Sequence, residues 1–390
     1  MIREVVACIF KKRLVKNYNK FCQKKIGHAL LYYKTDSLAI KSLADKYVHT
    51  NNWEVLEIVK ILNKLGYWVD ILDRSVDIED LDIIEDKYDI FIGLGAGDSG
   101  KYFGNIAEKL NKAIKIFYAC GPEPEESNRL ILERYDYFKK RHPENKDVII
   151  RRTKKEVDIN KVMKKTDVIF CIGNEFTIDT YKKHCKPIYR INPSSSPLIS
   201  TSINDLADKS QRKFLYFGGN GNIVKGLGIS IEVFSKNPEL ELFICAPKES
   251  DFNAIYCDIL KKSKNIHFIG FIDVAGKKFN ELTKKCGYVI LPSCSEGSAT
   301  SVLTCMRKGL IPITTYESGI DLGDFGYKIE VLDIEKLKNQ LLSIAQTPKE
   351  EFLEKIRKTY FESFNYTQAK FSEMFEKSLI EVINNKSNKK

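Results

Sequence analysis

Phe214-Leu-Tyr-Phe-Gly-Gly-Asn-Gly-Asn-Ile-Val-Lys-Gly226 begins as an apolar run, passes through Gly218, Gly219 and Gly221, and reaches Lys225 ahead of a second apolar segment. A strand, a glycine-rich turn and a helix in that order form a βα unit, with the turn at the strand's carboxyl end. The glycines let backbone amides approach a phosphate closely, and Lys225 places a cation beside them. The same order recurs around Pro292-Ser-Cys-Ser-Glu-Gly-Ser298. Here Tyr288–Leu291 reads as a strand and Ser298 to Lys308 as a helix ended by Gly309, with Ser298 as N-cap. A helix entrance at a strand's carboxyl end favours an anion. Glu296 would repel that anion, so its carboxylate suits hydroxyls on a neutral part of the ligand. A phosphorylated ligand that carries a polar neutral group, such as a sugar nucleotide, meets both demands.

Outward from this stretch the alternation continues. Strands are expected at Lys213–Phe217, Leu240–Ala246, Ile266–Ile269 and Leu310–Ile313, with a sixth near Tyr327–Leu332. A first alternating set precedes it: His28–Tyr33, Tyr67–Leu72, Tyr88–Leu94, Ala113–Ala119 and Asp167–Ile172, with a helix from Asn52 to Leu65 stopped by Gly66. The polar segment Asn192-Pro-Ser-Ser-Ser-Pro197 reads as an interdomain connection, and the tail from Pro348 as charged helix. Strands alternating with helices imply parallel sheets covered on both faces. The expected architecture is α/β, two doubly wound Rossmann-like domains facing across a cleft. The boundaries are 1–25 for a basic arm, 26–205 for the first domain, 206–365 for the second, and 366–390 for a helix crossing back onto the first.

Composition excludes several classes. A chain of 390 residues with 43% hydrophobic and 29% charged residues is that of a soluble globular protein of two domains. No apolar run approaches the ~18–20 residues that span a bilayer, and no signal core opens the chain. Ten scattered cysteines without a CxxC pair read as free thiols in a cytoplasmic protein, with no metal site. The net charge is +11, and residues 1–25 hold eight bases against one acid, a net of +7. This arm is read as a surface for anionic lipid on the inner face of a membrane, where each base adds about 1 kcal/mol. The remaining charge is nearly balanced and lacks a basic aromatic stripe, so nucleic acid is not expected as a partner.

Five fragments together carry a resemblance: Phe217-Gly-Gly…Lys225-Gly, Ile266-His-Phe-Ile-Gly-Phe271, Leu291-Pro-Ser-Cys-Ser-Glu-Gly297, Met306-Arg-Lys-Gly-Leu-Ile-Pro-Ile313 and Tyr316-Glu-Ser-Gly319. They resemble the C-terminal domain of retaining GT-B glycosyltransferases of family 4 over roughly residues 210–385, and Phe364-Asn-Tyr-Thr-Gln-Ala-Lys370 resembles that family's closing segment. The resemblance implies the GT-B fold and a nucleotide-diphosphate sugar as co-substrate, with no further cofactor and no metal. It implies transfer to an acceptor hydroxyl; the basic arm and cytoplasmic character, by association, suggest a glycan or lipid-linked acceptor in surface polysaccharide or glycolipid synthesis. Lys225 matches the lysine that binds the donor diphosphate, and Glu296 matches the first glutamate of the Glu-x7-Glu motif, which contacts the donor sugar. These two are the expected catalytic residues. Gly297 and Ser298 match the loop whose amides approach sugar and phosphate, and Gly218, Gly219, Asn220, Gly221 and Ser295 complete the expected donor site.

The chain also departs from that pattern. The second glutamate falls at Thr304, where a hydroxyl is expected to meet a ribose, and the arginine five residues before the lysine is replaced by Asn220. Asn51 and Asn52 stand where glycines are common at the first domain's helix entrance, Asn51-Asn-Trp-Glu54. The family's catalytic-region histidine has no obvious counterpart near Tyr118-Ala-Cys-Gly-Pro122; His49 is a candidate stand-in, set against the reading of a structural histidine. Gly95-Ala-Gly97-Asp-Ser-Gly100 matches the dinucleotide fingerprint in form but sits on the third strand of its domain. Gly95 and Gly97 are therefore read, with His49, Asn51 and Asn52, as acceptor-side or cleft positions. Three alternatives stay open: a non-catalytic sugar-nucleotide-binding protein of the same fold, an NAD-dependent oxidoreductase, and an epimerase.

Overall fold

The computed structural model describes residues 14–39, 50–94, 101–145, 148–154, 158–199, 201, 206–330 and 333–387. The first half builds a seven-stranded sheet from β1 (Leu14–Tyr18), β2 (Gly27–Tyr33), β3 (Tyr67–Asp73), β4 (Ile90–Leu94), β5 (Ile114–Ala119), β6 (Val168–Ile172) and β7 (Ile188–Ile191). Their order is β1-β3-β2-β4-β5-β6-β7, parallel except for β1, which pairs antiparallel with β3. The intervening helices are α1 (Thr50–Lys64), α2 (Phe103–Lys109), α3 (Pro124–Arg141), α4 (Ile159–Lys164) and α5 (Glu175–Lys182). The second half forms β8 (Ser210–Phe217), β9 (Glu241–Cys245), β10 (Ile266–Phe268), β11 (Cys286–Leu291), β12 (Ile311–Thr314) and β13 (Tyr327–Lys328) in the order β10-β9-β8-β11-β12-β13. Around it lie α6 (Leu227–Ser235), α7 (Ser250–Lys262), α8 (Lys277–Lys285), α9 (Thr300–Met306), α10 (Ile334–Ala345), α11 (Lys349–Glu362) and α12 (Gln368–Ser387).

The strands form where the sequence is continuously apolar. Every residue of β4 and β11 is buried, as a parallel strand covered on both faces requires. Each sheet reverses its winding once, and that decides where a ligand can sit. In the second sheet the reversal falls between β8 and β11, which pair through Leu215↔Val289 and Tyr216↔Ile290. Their carboxyl ends are therefore neighbours, and the crevice outside such a switch point is the binding position of open α/β sheets. In the first sheet the corresponding reversal lies between β2 and β4.

Two features differ from the sequence reading. Leu14–Tyr18, part of the segment expected to be a basic arm, is an edge strand of the first sheet, and Asn63 fixes it by donating to the Tyr18 carbonyl at 2.9 Å. Leu14, Val15 and Tyr18 are half-buried where the strand pairs with Leu72, Ile71 and Val69 of β3. The expected domain boundary also separates the sheets but not the cores. Helix α3 lies in the first half of the chain, yet Ile131, Tyr135 and Phe138 are buried in the second sheet's core with Val148. The C-terminal helix crosses back as expected: Phe371, Phe375, Leu379 and Val382 of α12 pack into the first sheet's core, where Trp53 meets Phe371 edge-on at 5.2 Å. The halves are thus strapped together at two places.

Candidate active site

At the switch point, Lys225 closes the turn after β8 and Glu296 lies in the loop after β11. The Lys225 ammonium donates to the Glu296 carboxylate, with side chains only 9% and 11% exposed. Gly226 makes this approach possible. Its φ is +70°, and a Cβ there would stand 2.4 Å from the Pro292 carbonyl. Ser293 also donates to Glu296, at 3.2 Å. Burial by itself would raise the Glu296 carboxyl, but the Lys225 ammonium and then the Arg152 guanidinium outweigh it and hold its pKa below the ordinary value. Burial pulls the Lys225 pKa down, opposed by Glu296. The pair is a desolvated, ionised bridge with further cationic character beside it.

That further charge comes from the other half of the chain. Arg152 donates from Nη1 to the Asn220 carbonyl at 3.4 Å, and its Nη2 lies 3.3 Å from Glu296 Oε2. Gly297 meets the first sheet directly: a Cβ there would lie 2.2 Å from the Cys120 carbonyl, just past β5. Ser127 of α3 and Ser295 share a hydrogen bond of 2.8 Å, and Asn174 donates to the Tyr316 carbonyl at 2.9 Å. The carboxyl ends of the two sheets therefore face each other across Gly297.

Residues 199–358 match the protein family described as Glycosyl transferases group 1. The match covers less than half of the chain. Among solved structures, the chain is similar to Anabaena HepE in complex with UDP and glucose, at 10% identity and a TM-score of 0.58, covering 91% of this chain and 100% of that one. WaaG, a glycosyltransferase involved in lipopolysaccharide biosynthesis, matches at 16% identity and a TM-score of 0.54 over 90% and 98% of the two chains. The chain spans about half the length of S. aureus TarM, 55%, with 76% of this chain covered at 14% identity and a TM-score of 0.51. No curated protein matches the chain. At these identities the likenesses show the fold, and the fold is GT-B.

Within the matched segment the other expected donor residues fare differently. Gly219 is open, with no atom within 4 Å of where a Cβ would stand, and the Gly218 amide donates to the Cys245 carbonyl at 3.1 Å. The amides of Gly221 and Asn222 donate to the Glu249 carboxylate at 2.5 and 3.1 Å, so a carboxylate occupies the turn where an anion was expected. Ser298 is not the N-cap of α9; the helix starts at Thr300 with Ala299 before it, and the Ser298 hydroxyl is buried without a partner. The Thr304 hydroxyl accepts from the Ser196 amide at 3.3 Å and is buried against the interdomain connection.

On the first-domain side, Asn52 is buried and accepts from Lys34 at 2.6 Å. His49, Gly95 and Gly97 lie outside the described residues, as does the side chain of Asn51. Glu54 is buried beneath this entrance and takes hydrogen bonds from Tyr33 and Tyr118 at 3.3 and 3.4 Å. Burial lifts its pKa to about 7. Sequence reasoning also missed Arg134, which reaches from α3 to donate to the Pro292 carbonyl at 2.8 Å behind the pair. It missed Arg152 as well, whose signal was the basic run Arg151-Arg-Thr-Lys154. A separate cavity of about 440 Å³, lined by Arg190, Asp321, Phe325 and Tyr366, shares none of these residues. Among the described residues no cluster of three His, Cys, Asp or Glu side chains could hold a metal ion, and no helix is long and apolar enough to cross a membrane.

Proposed function

We propose that this chain is a retaining glycosyltransferase that moves a sugar from a nucleotide-diphosphate donor to an acceptor hydroxyl. The observation that carries the reading is the buried Lys225–Glu296 pair at the switch point of the segment that matches the group 1 family. The pair supplies what the reaction needs in adjacent positions. The bond from the anomeric carbon to the β-phosphate oxygen breaks with its electron pair on that oxygen. The acceptor oxygen bonds to the carbon on the same face, and its proton leaves with the diphosphate or to solvent. Lys225 faces the charge that grows on the phosphate, and Glu296 accepts hydrogen bonds from sugar hydroxyls to hold the ring in place. Phe271 is 84% exposed just past β10, two strands or roughly 10 Å from β8, and offers an aromatic face for the base.

The acceptor class proposed is a glycan or lipid-linked hydroxyl in surface polysaccharide or glycolipid synthesis, reached at the inner face of a membrane. HepE carrying UDP and glucose, and WaaG's part in lipopolysaccharide biosynthesis, support this reading by likeness. The test is a panel of nucleotide sugars, followed first by thermal shift and then by release of nucleoside diphosphate. Removal of one preorganised group costs about 3–4 kcal/mol, or roughly 10²–10³ in rate. Lys225→Ala and Glu296→Ala are each expected to lose rate on that scale while remaining folded. Near-wild-type turnover in both would remove the proposal.

A second reading, a non-catalytic sugar-nucleotide-binding protein, is favoured by the Glu249 carboxylate on the turn amides and by the hydrogen bond that already engages the Thr304 hydroxyl. It predicts tight nucleotide binding with no turnover on any acceptor.

A further inference from the structure

We infer that Arg152, delivered from the first half of the chain, is a donor-diphosphate ligand that takes the place of the arginine missing at Asn220; the inference rests on the donor site proposed above. Position 220 is where the resembled family carries that guanidinium, and the Arg152 side chain lies on the residue that replaces it. Nη1 reaches the Asn220 carbonyl at 3.4 Å, while a Cβ on Gly221 would stand 2.4 Å from Arg152 Cδ. Only a glycine at 221 leaves room for the side chain to pass. On its other side Nη2 lies 3.3 Å from the Glu296 carboxylate, which Lys225 also holds. The two cations converge on one carboxylate, and a diphosphate would draw both onto its own oxygens.

Arg152 is held in this position by its neighbours. On one side, Tyr135 donates to the Ile149 carbonyl at 3.0 Å and accepts from the Arg151 amide at 2.9 Å, and Arg151 pairs with Asp251 at 2.6 Å. On the other, the Lys154 amide donates to Asn128 at 2.7 Å and the Lys154 carbonyl accepts from Asn128 at 2.9 Å. Between these clamps Arg152 adopts φ +69°, a left-handed conformation that costs a non-glycine residue free energy. Strain retained at a cleft by over-determined surroundings points to function. Because α3 and the 148–154 segment belong to the first half of the chain, donor binding would also tie the two halves together.

The test uses the full chain, calorimetry with UDP, GDP, ADP and CDP, and the monophosphate of whichever binds. Arg152→Gly relieves the backbone while removing the guanidinium. Its melting temperature without ligand is expected to equal or exceed the wild type, and its affinity for the diphosphate to fall roughly 10- to 100-fold. Affinity for the monophosphate should change less than about threefold, since the contact is to the β-phosphate. Adding Asn220→Arg to Arg152→Gly should restore most of the lost affinity. Unchanged diphosphate affinity in Arg152→Gly overturns the inference and leaves the donor site standing. An equal loss for mono- and diphosphate with a lowered melting temperature also overturns it, since that is a scaffold role. Failure of Asn220→Arg to rescue overturns the positional equivalence. If no diphosphate binds the wild type, the donor site itself falls, and the inference with it.

Discussion

Removing either partner of the Lys225–Glu296 bridge should have opposite consequences for a bare nucleoside diphosphate. Glu296 is the shared counter-ion of two cations, one in direct contact and one at 3.3 Å. At an effective dielectric constant near 20, a unit pair at that distance is worth about 5 kcal/mol before desolvation. Breaking a buried pair by deleting one member costs about 3–5 kcal/mol, because it leaves the other charge uncompensated. Glu296→Gln leaves Lys225 and Arg152 facing each other across a neutral amide, so unliganded stability should fall by that amount. The same substitution removes the carboxylate that a diphosphate must displace. UDP, or whichever diphosphate the wild type binds, should therefore bind at least tenfold tighter, about 1.4 kcal/mol, and saturating ligand should restore most of the lost stability. Lys225→Met is the mirror case. Glu296 keeps Arg152, so stability changes little, while diphosphate affinity falls by tenfold or more. Denaturant unfolding with and without ligand, paired with calorimetry, reads all four quantities. If Glu296→Gln weakens diphosphate binding as much as Lys225→Met does, the carboxylate is not a placeholder for the donor anion and the reasoning is wrong.

Three further outcomes follow from single positions. Glu54 has its pKa lifted by burial from 4.5 to about 7, so the folded state holds its proton over that window; the stability this gives is full below about pH 4.5 and is lost as pH rises through 7. Wild type should lose about 3 kcal/mol relative to Glu54→Gln between those limits, and a pH-independent difference in urea unfolding would contradict the burial argument. Gly297→Ala would press a Cβ to 2.2 Å from the Cys120 carbonyl, with no flexible side chain to give way. It should cost about 1–3 kcal/mol and roughly 10²-fold in turnover as the sheets are held apart; wild-type turnover in this variant would show that the two halves need not meet there. Residues 1–13 retain Arg3, Lys11, Lys12 and Arg13 against Glu4 once β1 is assigned to the sheet. Deleting those thirteen residues should reduce cosedimentation with phosphatidylserine vesicles while preserving the melting temperature, and undiminished binding would end the membrane proposal.

The sheets were legible because their strands are continuous apolar runs bounded by glycine and charge. Tyr288–Leu291 and Ala113–Ala119 fall within about two residues of β11 and β5. Lys225 and Glu296 were legible as a pair because both sit at strand ends, and parallel order brings such ends to one side. What was not legible depends on long-range packing. Nothing local in Ile131, Tyr135 or Phe138 shows that α3 joins the core of the other sheet. Arg152 stands in a basic run that reads as solvated surface, and only the path of the chain between the sheets carries it to Asn220. Thr304 was placed by register with the resembled family, and its contact with the Ser196 amide, 108 residues away in the chain, has no local signal. Leu14–Tyr18 was assigned to the basic arm because five residues with two adjacent apolar positions carry no clear strand alternation.

The most direct test is proton NMR of the purified chain with a panel of nucleotide sugars and simple glycoside or water acceptors, following the anomeric signals from the first turnovers. The account predicts that one donor releases its nucleoside diphosphate and that the transferred sugar first appears with the donor's own anomeric configuration. Both signals should be reduced roughly 10²–10³-fold by Lys225→Ala or Glu296→Ala. Transfer with inverted configuration, or a donor that binds at the Lys225–Glu296 site and is never turned over, would contradict it.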